Sequence, residues 1–259
     1  MTRPAWRITL AVWHALLLRE AVARMFSKRV ALVWLLVEPV ANIVFMVFVF
    51  TVLRTRVIGG MDMVLWLSSG MLAFFLFRRT ATQGASAIGA NLALFTYRQV
   101  QPVDTVLVRC ILEGFLMILV AGLIAAALIF LGVPMPLHNP IETLVAILGL
   151  WLLATGWGLA VSVANELIPE LANLLGLLMM PMMLISSVIF PLSTVPYPWR
   201  EWLMLNPVAH GIEGVRAGLS PYYHHAPEMN LTYVFGSALV LGFLGLVLQV
   251  RFRNRMLTL

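Results

Sequence analysis

Four stretches of this chain run for more than 20 residues without an Asp, Glu, Lys or Arg: 114–141, 143–165, 171–199 and 229–250. About 20 consecutive apolar residues carry a helix across roughly 30 Å of hydrocarbon. Lipid offers the backbone no hydrogen-bond partner, so only helices and closed barrels can cross it. No segment alternates apolar and polar residues at period two, which leaves helices. Two earlier stretches are less clean: 30–53 contains Glu38, and 63–77 reaches only 15 residues before Arg78 and Arg79. The expected fold is an all-α integral membrane protein, a single domain over 1–259, with six transmembrane helices near 30–53, 63–86, 108–132, 142–164, 170–190 and 231–250. With 61% hydrophobic and 11% charged residues, the chain lies far from a soluble composition.

Basic residues orient such a chain. The N-terminal arm holds Arg3, Arg7, Arg19, Arg24, Lys28 and Arg29, the connection between the second and third spans holds Arg98 and Arg109, and the tail holds Arg251, Arg253 and Arg255. These eleven outweigh the four on the other side, Arg54, Arg56, Arg200 and Arg216, with Arg78 and Arg79 left out. Both termini of this multi-pass chain are therefore expected in the cytoplasm. The net charge of +6 reflects this bias, and no basic recognition helix or aromatic platform points to nucleic acid.

Residues 1–29 predict an interfacial amphipathic helix, because Arg3, Arg7, His14, Arg24 and Lys28 fall within about 100° on a helical wheel. A cleaved leader fits less well, since Arg19 and Glu20 stand where a small uncharged region belongs. Cys110 carries no motif.

The residues offer little chemistry. Asp62 and Asp104 are the two aspartates, far apart in sequence, so clustered carboxylates for Mg²⁺ are not in view. His224, His225 and Glu228 make a weak metal trio without a fourth ligand. The sole lysine, Lys28, has no glycine-rich turn before it, so a nucleotide-binding P-loop is excluded. The reading is a non-enzyme that binds no metal or cofactor itself; any ATP-driven motor would be a separate chain.

Two connections are not ordinary loops. Residues 91–113, NLALFTYRQVQPVDTVLVRCILE, have the make-up of a short surface helix with an apolar cluster at Leu94, Phe95 and Val100, an interrupting Pro102, and Asp104 heading a new helix. A partly apolar surface presented to water needs a partner. Between Phe190 and Met229, prolines 191, 196, 198 and 207 with Trp199 and Trp202 predict two short helices, 198–205 and 207–219, dipping back into the outer leaflet within an external re-entrant segment, 193–220. Within the spans, Glu38, Arg78, Arg79 and Glu113 each cost about 2.5–3.5 kcal/mol if exposed to lipid. They are candidates for a translocation path suited to an anionic cargo, or for ion pairs with one another. Gly156, Gly158 and Ser162 allow close helix approach.

Three blocks resemble the ABC-2 family of export permeases: REAVARMFSKRVALVWLLVEPV at 19–40, the 91–113 stretch, which is similar to the coupling region of capsular polysaccharide members, and 168–216 from IPELANLL to HGIEGVR. The resemblance implies a half-transporter of a bacterial inner membrane, a homodimer with two copies of a separate ATPase subunit that binds ATP and Mg. Its cargo would be a lipid-linked, acidic capsular polysaccharide, handed on to periplasmic and outer-membrane export proteins. Segment 91–104 would be the coupling segment, formed by Asn91, Leu94, Phe95, Tyr97, Arg98, Gln99, Pro102 and Asp104, with Pro102 and Asp104 shaping the exit into the third span. Phe95 and Tyr97 would be its anchors, with Glu166 and Glu170 as a minor second contact. Tyr197, Trp199, Trp202, Asn206, Pro207, His210, Glu213 and Arg216 would line an external gate. Other cargoes of the same class remain open: an O-antigen, a teichoic acid or a small drug. A gradient-driven carrier would need paired intramembrane carboxylates and inverted repeats; Glu38 and Glu113 are its only candidates.

Overall fold

The computed structural model describes residues 5–26, 31–53, 56–97, 99–168 and 170–257. The described chain is dominated by helices: α1 (Ala5–Phe26), α2 (Ala31–Val52), α3 (Met63–Ala85), α4 (Pro102–Phe130), α5 (Pro140–Leu167), α6 (Glu170–Ile185), α7 (Trp199–Leu203), α8 (Pro207–Leu219), α9 (Leu231–Arg251) and α10 (Arg253–Leu257). A two-stranded hairpin, β1 (Val57–Ile58) and β2 (Met61–Asp62), leads into α3, pairing Val57 with Asp62 and Ile58 with Met61. Its turn requires Gly59 and Gly60 at φ +57° and +86°, a conformation side chains resist.

Side-chain caps set several helix starts. Asp62 Oδ1 accepts from Val64 N and Leu65 N at 2.9 and 3.2 Å. Asn139, Asn206 and Asn230 cap α5, α8 and α9 in the same way. Pro140 and Pro207 occupy first-turn positions, where no intrahelical donor is lost.

α5 is the central helix, packed on α9, α3 and α8. Small residues permit this: a Cβ on Gly156 would lie 2.8 Å from the Gly242 nitrogen of α9, and one on Gly158 would lie 3.1 Å from the Gly84 Cα of α3. Ser162 accepts a hydrogen bond from Gln249 Nε2 at 2.9 Å. Trp66, Leu67, Phe74, Phe77, Leu150 and Leu153 fill the interior.

Among the described residues three helices, α4, α5 and α9, are long and apolar enough to cross a membrane; α2 and α6 contain shorter apolar stretches, Leu36–Val52 and Glu170–Ile185. Several boundaries differ from expectation. α4 starts at Pro102, because the Asp104 carboxylate accepts from Gln101 N at 3.0 Å; Pro102 begins the helix and does not interrupt it. Residues 89–96 form a 3₁₀ turn (Gly89–Thr96) with a kink at Asn91, not a helix through 101. α6 stops at Ile185, short of 190, because Ser187 takes φ +64°. α7 is shorter at both ends than the predicted 198–205, while α8 matches 207–219.

Candidate functional site

The predicted functional residues fall at three levels along α3, whose 23 residues rise about 33 Å end to end.

Roughly two thirds of the way along α3, the four charges expected within the spans, Glu38, Arg78, Arg79 and Glu113, meet. Arg78 Nη2 bonds Glu38 Oε1, Arg79 Nη1 bonds Glu38 Oε2 at 2.9 Å, and Arg79 Nε reaches Glu113 Oε2 at 3.5 Å. Three helices, α2, α3 and α4, each supply part of the cluster. Its four charges sum to zero, which offsets much of the desolvation that any one of them would suffer alone. The Arg78 guanidinium also lies 4.9 Å from the Phe75 ring centre. The arginines are thus ion-paired with the two glutamates.

Beyond the Ala85 end of α3, the Gly89–Thr96 turn is braced by α1 and α4. Arg19 Nη1 donates to Asn91 Oδ1 at 2.8 Å, and Asn91 Nδ2 donates to Ala87 O at 2.9 Å. Trp13 Nε1 donates to Asp104 Oδ1 at 2.8 Å, and Glu20 pairs with Arg109 at 3.2 Å. Asn91, placed in the coupling segment, is therefore buried against α1, and Asp104, which heads α4 as expected, is buried there too. Phe95 is half-buried over the cluster of Ile88, Val106, Val163 and Met256. Tyr97 remains 65% exposed, with Leu92 and Gln99 also exposed and Leu94 intermediate. Arg98 lies outside the described residues. Glu166 packs beside Gly89, where a Cβ would stand 2.8 Å from its Oε1.

At the Met63 end, the eight predicted gate residues separate into two groups. Tyr197, Trp199 and Trp202 are exposed. His210, Glu213 and Arg216, expected to line an external gate, are buried in a polar knot under α8, and Asn206 with Pro207 forms the α8 start. Arg216 Nη1 donates to Ser187 O and, at 3.1 Å, to Ser187 Oγ; Nη2 donates to Trp66 O and Val188 O at 3.2 and 3.3 Å. Its guanidinium stacks 3.8 Å from the Trp66 ring centre. Glu213 accepts from Ser187 Oγ, from Tyr223 OH at 2.8 Å and from Ala226 N at 3.0 Å, with Arg216 at 3.9 Å. Gly70 makes room: a Cβ there would lie 2.0 Å from Arg216 Nη2. His210 Nε2 contacts Met204 O, and Nδ1 accepts from Asn230 N at 2.9 Å. This pairing suits the neutral ring, and burial holds its pKa below the ordinary 6.5.

Of the weak metal trio, Glu228 is held by Arg200, with Nε at 2.9 and 3.0 Å from its two oxygens. Partial burial opposes ionisation there, but Arg200 prevails and keeps Glu228 below the usual carboxylate range. The residues that sequence reasoning missed are Trp13, Glu20, Trp66, Gly70, Ser187 and Tyr223. None belongs to a local motif; their only signal is polar or small character inside apolar surroundings.

A family model described as "ABC-2 type transporter" matches residues 12–220. The chain belongs to the ABC-2 transporter family. This ABC-2 chain is 29% identical over 258 residues to the polysialic acid transport protein KpsM of Escherichia coli, covering 100% of both chains. It is 30% identical over 206 residues to the capsule polysaccharide export inner-membrane protein CtrC of Neisseria meningitidis serogroup B, covering 79% of this chain and 77% of the relative. To the capsule polysaccharide export inner-membrane protein BexB of Haemophilus influenzae it is 25% identical over 249 residues, 93% of this chain and 91% of the relative. Within the ABC-2 chain the matched region contains the charge cluster, the braced turn and the α8 residues of the polar knot, whose partners Tyr223, Ala226 and Asn230 lie beyond it.

Proposed function

We propose that this chain is the permease half of an ATP-driven exporter that moves an acidic, lipid-linked capsular polysaccharide across a bacterial inner membrane. It works as a homodimer with two copies of a separate ATPase, crosses the membrane six times through α2, α3, α4, α5, α6 and α9, and keeps both termini in the cytoplasm. α1 lies in the headgroup layer, its outward face mixing Trp6, Leu10 and Leu18 with Arg7 and His14. The segment after Phe190 dips back as α7 and α8 on the external side.

The observation that carries this reading is the braced turn. A loop whose only task was to reverse the chain would need neither the Trp13–Asp104 and Arg19–Asn91 bonds nor an exposed aromatic at its tip. Fixed on two helices, the turn can transmit a push from a docked ATPase to α3 and α4 without absorbing it. Tyr97 is the anchor and Phe95 the wedge that ties it to the bundle. Homology to proteins named for capsule export and polysialic acid transport supports the cargo class. Packing supports the pairing of copies: the cavity bounded by α3, α4, α5 and α8 holds about 320 Å³ and is lined mainly by apolar side chains such as Leu72, Leu76, Met117 and Ile147, which suits no glycan, so a glycan path belongs between protomers.

Glu38, Arg78 and Arg79 face that path with Glu113 buried behind them, while Tyr197, Trp199 and Trp202 surround its external exit, positioned by the buried knot of His210, Glu213 and Arg216. Periplasmic and outer-membrane proteins would receive the cargo. The test is co-purification with candidate ATPases followed by hydrolysis assays in lipid. Hydrolysis should rise with an acidic glycolipid; a chain that recruits no ATPase refutes the proposal.

A further inference from the structure

We propose that Glu38 is a built-in stand-in for the cargo's anionic group. At rest its carboxylate occupies Arg78 and Arg79; when α2 moves off α3, one carboxylate or phosphodiester of the exported material takes its place. This rests on the permease reading above and gives it a specific binding event.

The two glutamates of the cluster are not equivalent. Glu113 is fully buried on α4, and it touches Arg79 alone of the two arginines at 3.5 Å. Glu38 is 30% exposed and bridges both guanidinium groups. Its backbone is also weakened. Pro39 follows it, removing one helix donor, and the Glu38 carbonyl accepts a side-chain hydrogen bond from Asn42 Nδ2 at 2.8 Å. α2 itself packs on one side only, through Leu36, Ile43, Val47 and Phe50, while Val44, Phe45, Phe48 and Val52 are exposed. The displaceable counterion therefore sits at a weak point of a peripheral helix, and the fixed one sits inside the bundle.

Charge sets the ligand class. Two arginines and two glutamates sum to zero; withdrawing Glu38 leaves +1, which one monoanionic group neutralises. Guanidinium forks match the planar oxygens of a carboxylate or a phosphodiester. A neutral sugar supplies no replacement charge, and leaving both arginines with only Glu113 is costly in apolar surroundings. Departure of Glu38 and arrival of the anion are consequently one exchange.

The experiment uses the full chain with its ATPase in phosphatidylcholine nanodiscs and three probes. Labelled oligogalacturonate supplies a soluble carboxylate, phosphatidylglycerol added to the nanodisc supplies a lipid phosphodiester, and labelled malto-oligosaccharide is neutral. E38Q should tighten binding of one anion about tenfold, within the roughly 5–150-fold range of site couplings. Whichever anion gains identifies the source of the group. E38D should stay close to wild type, E113Q should not tighten binding, and the neutral sugar should be indifferent to all three. Equal anion affinity for E38Q and wild type, or an equal gain for the neutral sugar, overturns the exchange. Loss of all anion binding with the ATPase still attached overturns it too, while leaving the permease reading intact; loss of the ATPase overturns the reading itself. A second measurement needs no Glu38 variant: spin labels at exposed Val44 of α2 and Ile118 of α4 should move apart when the gaining anion is added. An unchanged separation refutes the proposal.

Discussion

Replacing Arg216 by methionine removes the guanidinium at the centre of the buried knot and keeps an unbranched stem only as far as the position of Nε. The carbonyls of Trp66, Ser187 and Val188 lose their guanidinium donors, and the Trp66 ring loses a cation stacked at 3.8 Å. Glu213 loses its cation at 3.9 Å but keeps donors from Ser187, Tyr223 and Ala226. Breaking a buried pair from one side costs about 3–5 kcal/mol, and those three remaining donors place R216M near the lower end, about 3 kcal/mol. For a chain of this size each kcal/mol lowers Tm by about 2–4 °C, so the expected loss is about 6–12 °C. Thermal unfolding in detergent, followed by tryptophan fluorescence, measures it. In the double variant R216M/E213Q the stranded charge is gone, so the combined loss should fall short of the sum of the singles by at least about 1 kcal/mol. A Tm shift under about 2 °C, or strict additivity, refutes the role assigned to the knot.

Other outcomes follow from the same contacts. G70A places a methyl 2.0 Å from Arg216 Nη2 and should match R216M in thermal loss, whereas G122A, which meets nothing within 4 Å, should be near neutral. W13F deletes the bond to Asp104, worth about 1.5–3 kcal/mol to a charged acceptor; backbone hydrogen exchange should rise across 89–101 and stay unchanged around α8. His210 is held below 6.5 by burial, so the unfolded chain binds the proton first. Its contribution to stability is complete above pH 6.5 and is lost as pH falls through the depressed folded value. Tm should therefore drop between pH 7.5 and 5 more steeply for wild type than for H210Q.

What the sequence could reveal depended on how local the cause was. The charge-free runs locate α4, α5 and α9, because crossing lipid is a requirement on composition alone. Asn206 and Pro207 announce α8, since a cap and a first-turn proline act within one turn. The cost of charge in lipid demanded partners for Arg78 and Arg79, and it was met by residues 40, 41 and 34 positions away. The end of α6 was not legible: Ser187 turns where Arg216, 29 residues on, donates to its carbonyl. Nor was the burial of Asn91 and Asp104, whose partners Arg19 and Trp13 lie 72 and 91 residues back. Polar residues in a loop read as surface until a distant helix is seen to cover them.

Two tyrosines of nearly equal exposure mark opposite ends of the bundle, Tyr97 at 65% and Tyr197 at 72%. Replacing each in turn by a photo-crosslinking phenylalanine, in cells that also make the ATPase, tests where the motor docks. The account predicts a permease–ATPase crosslink from position 97 and none from 197; a crosslink from 197 with none from 97 would contradict it.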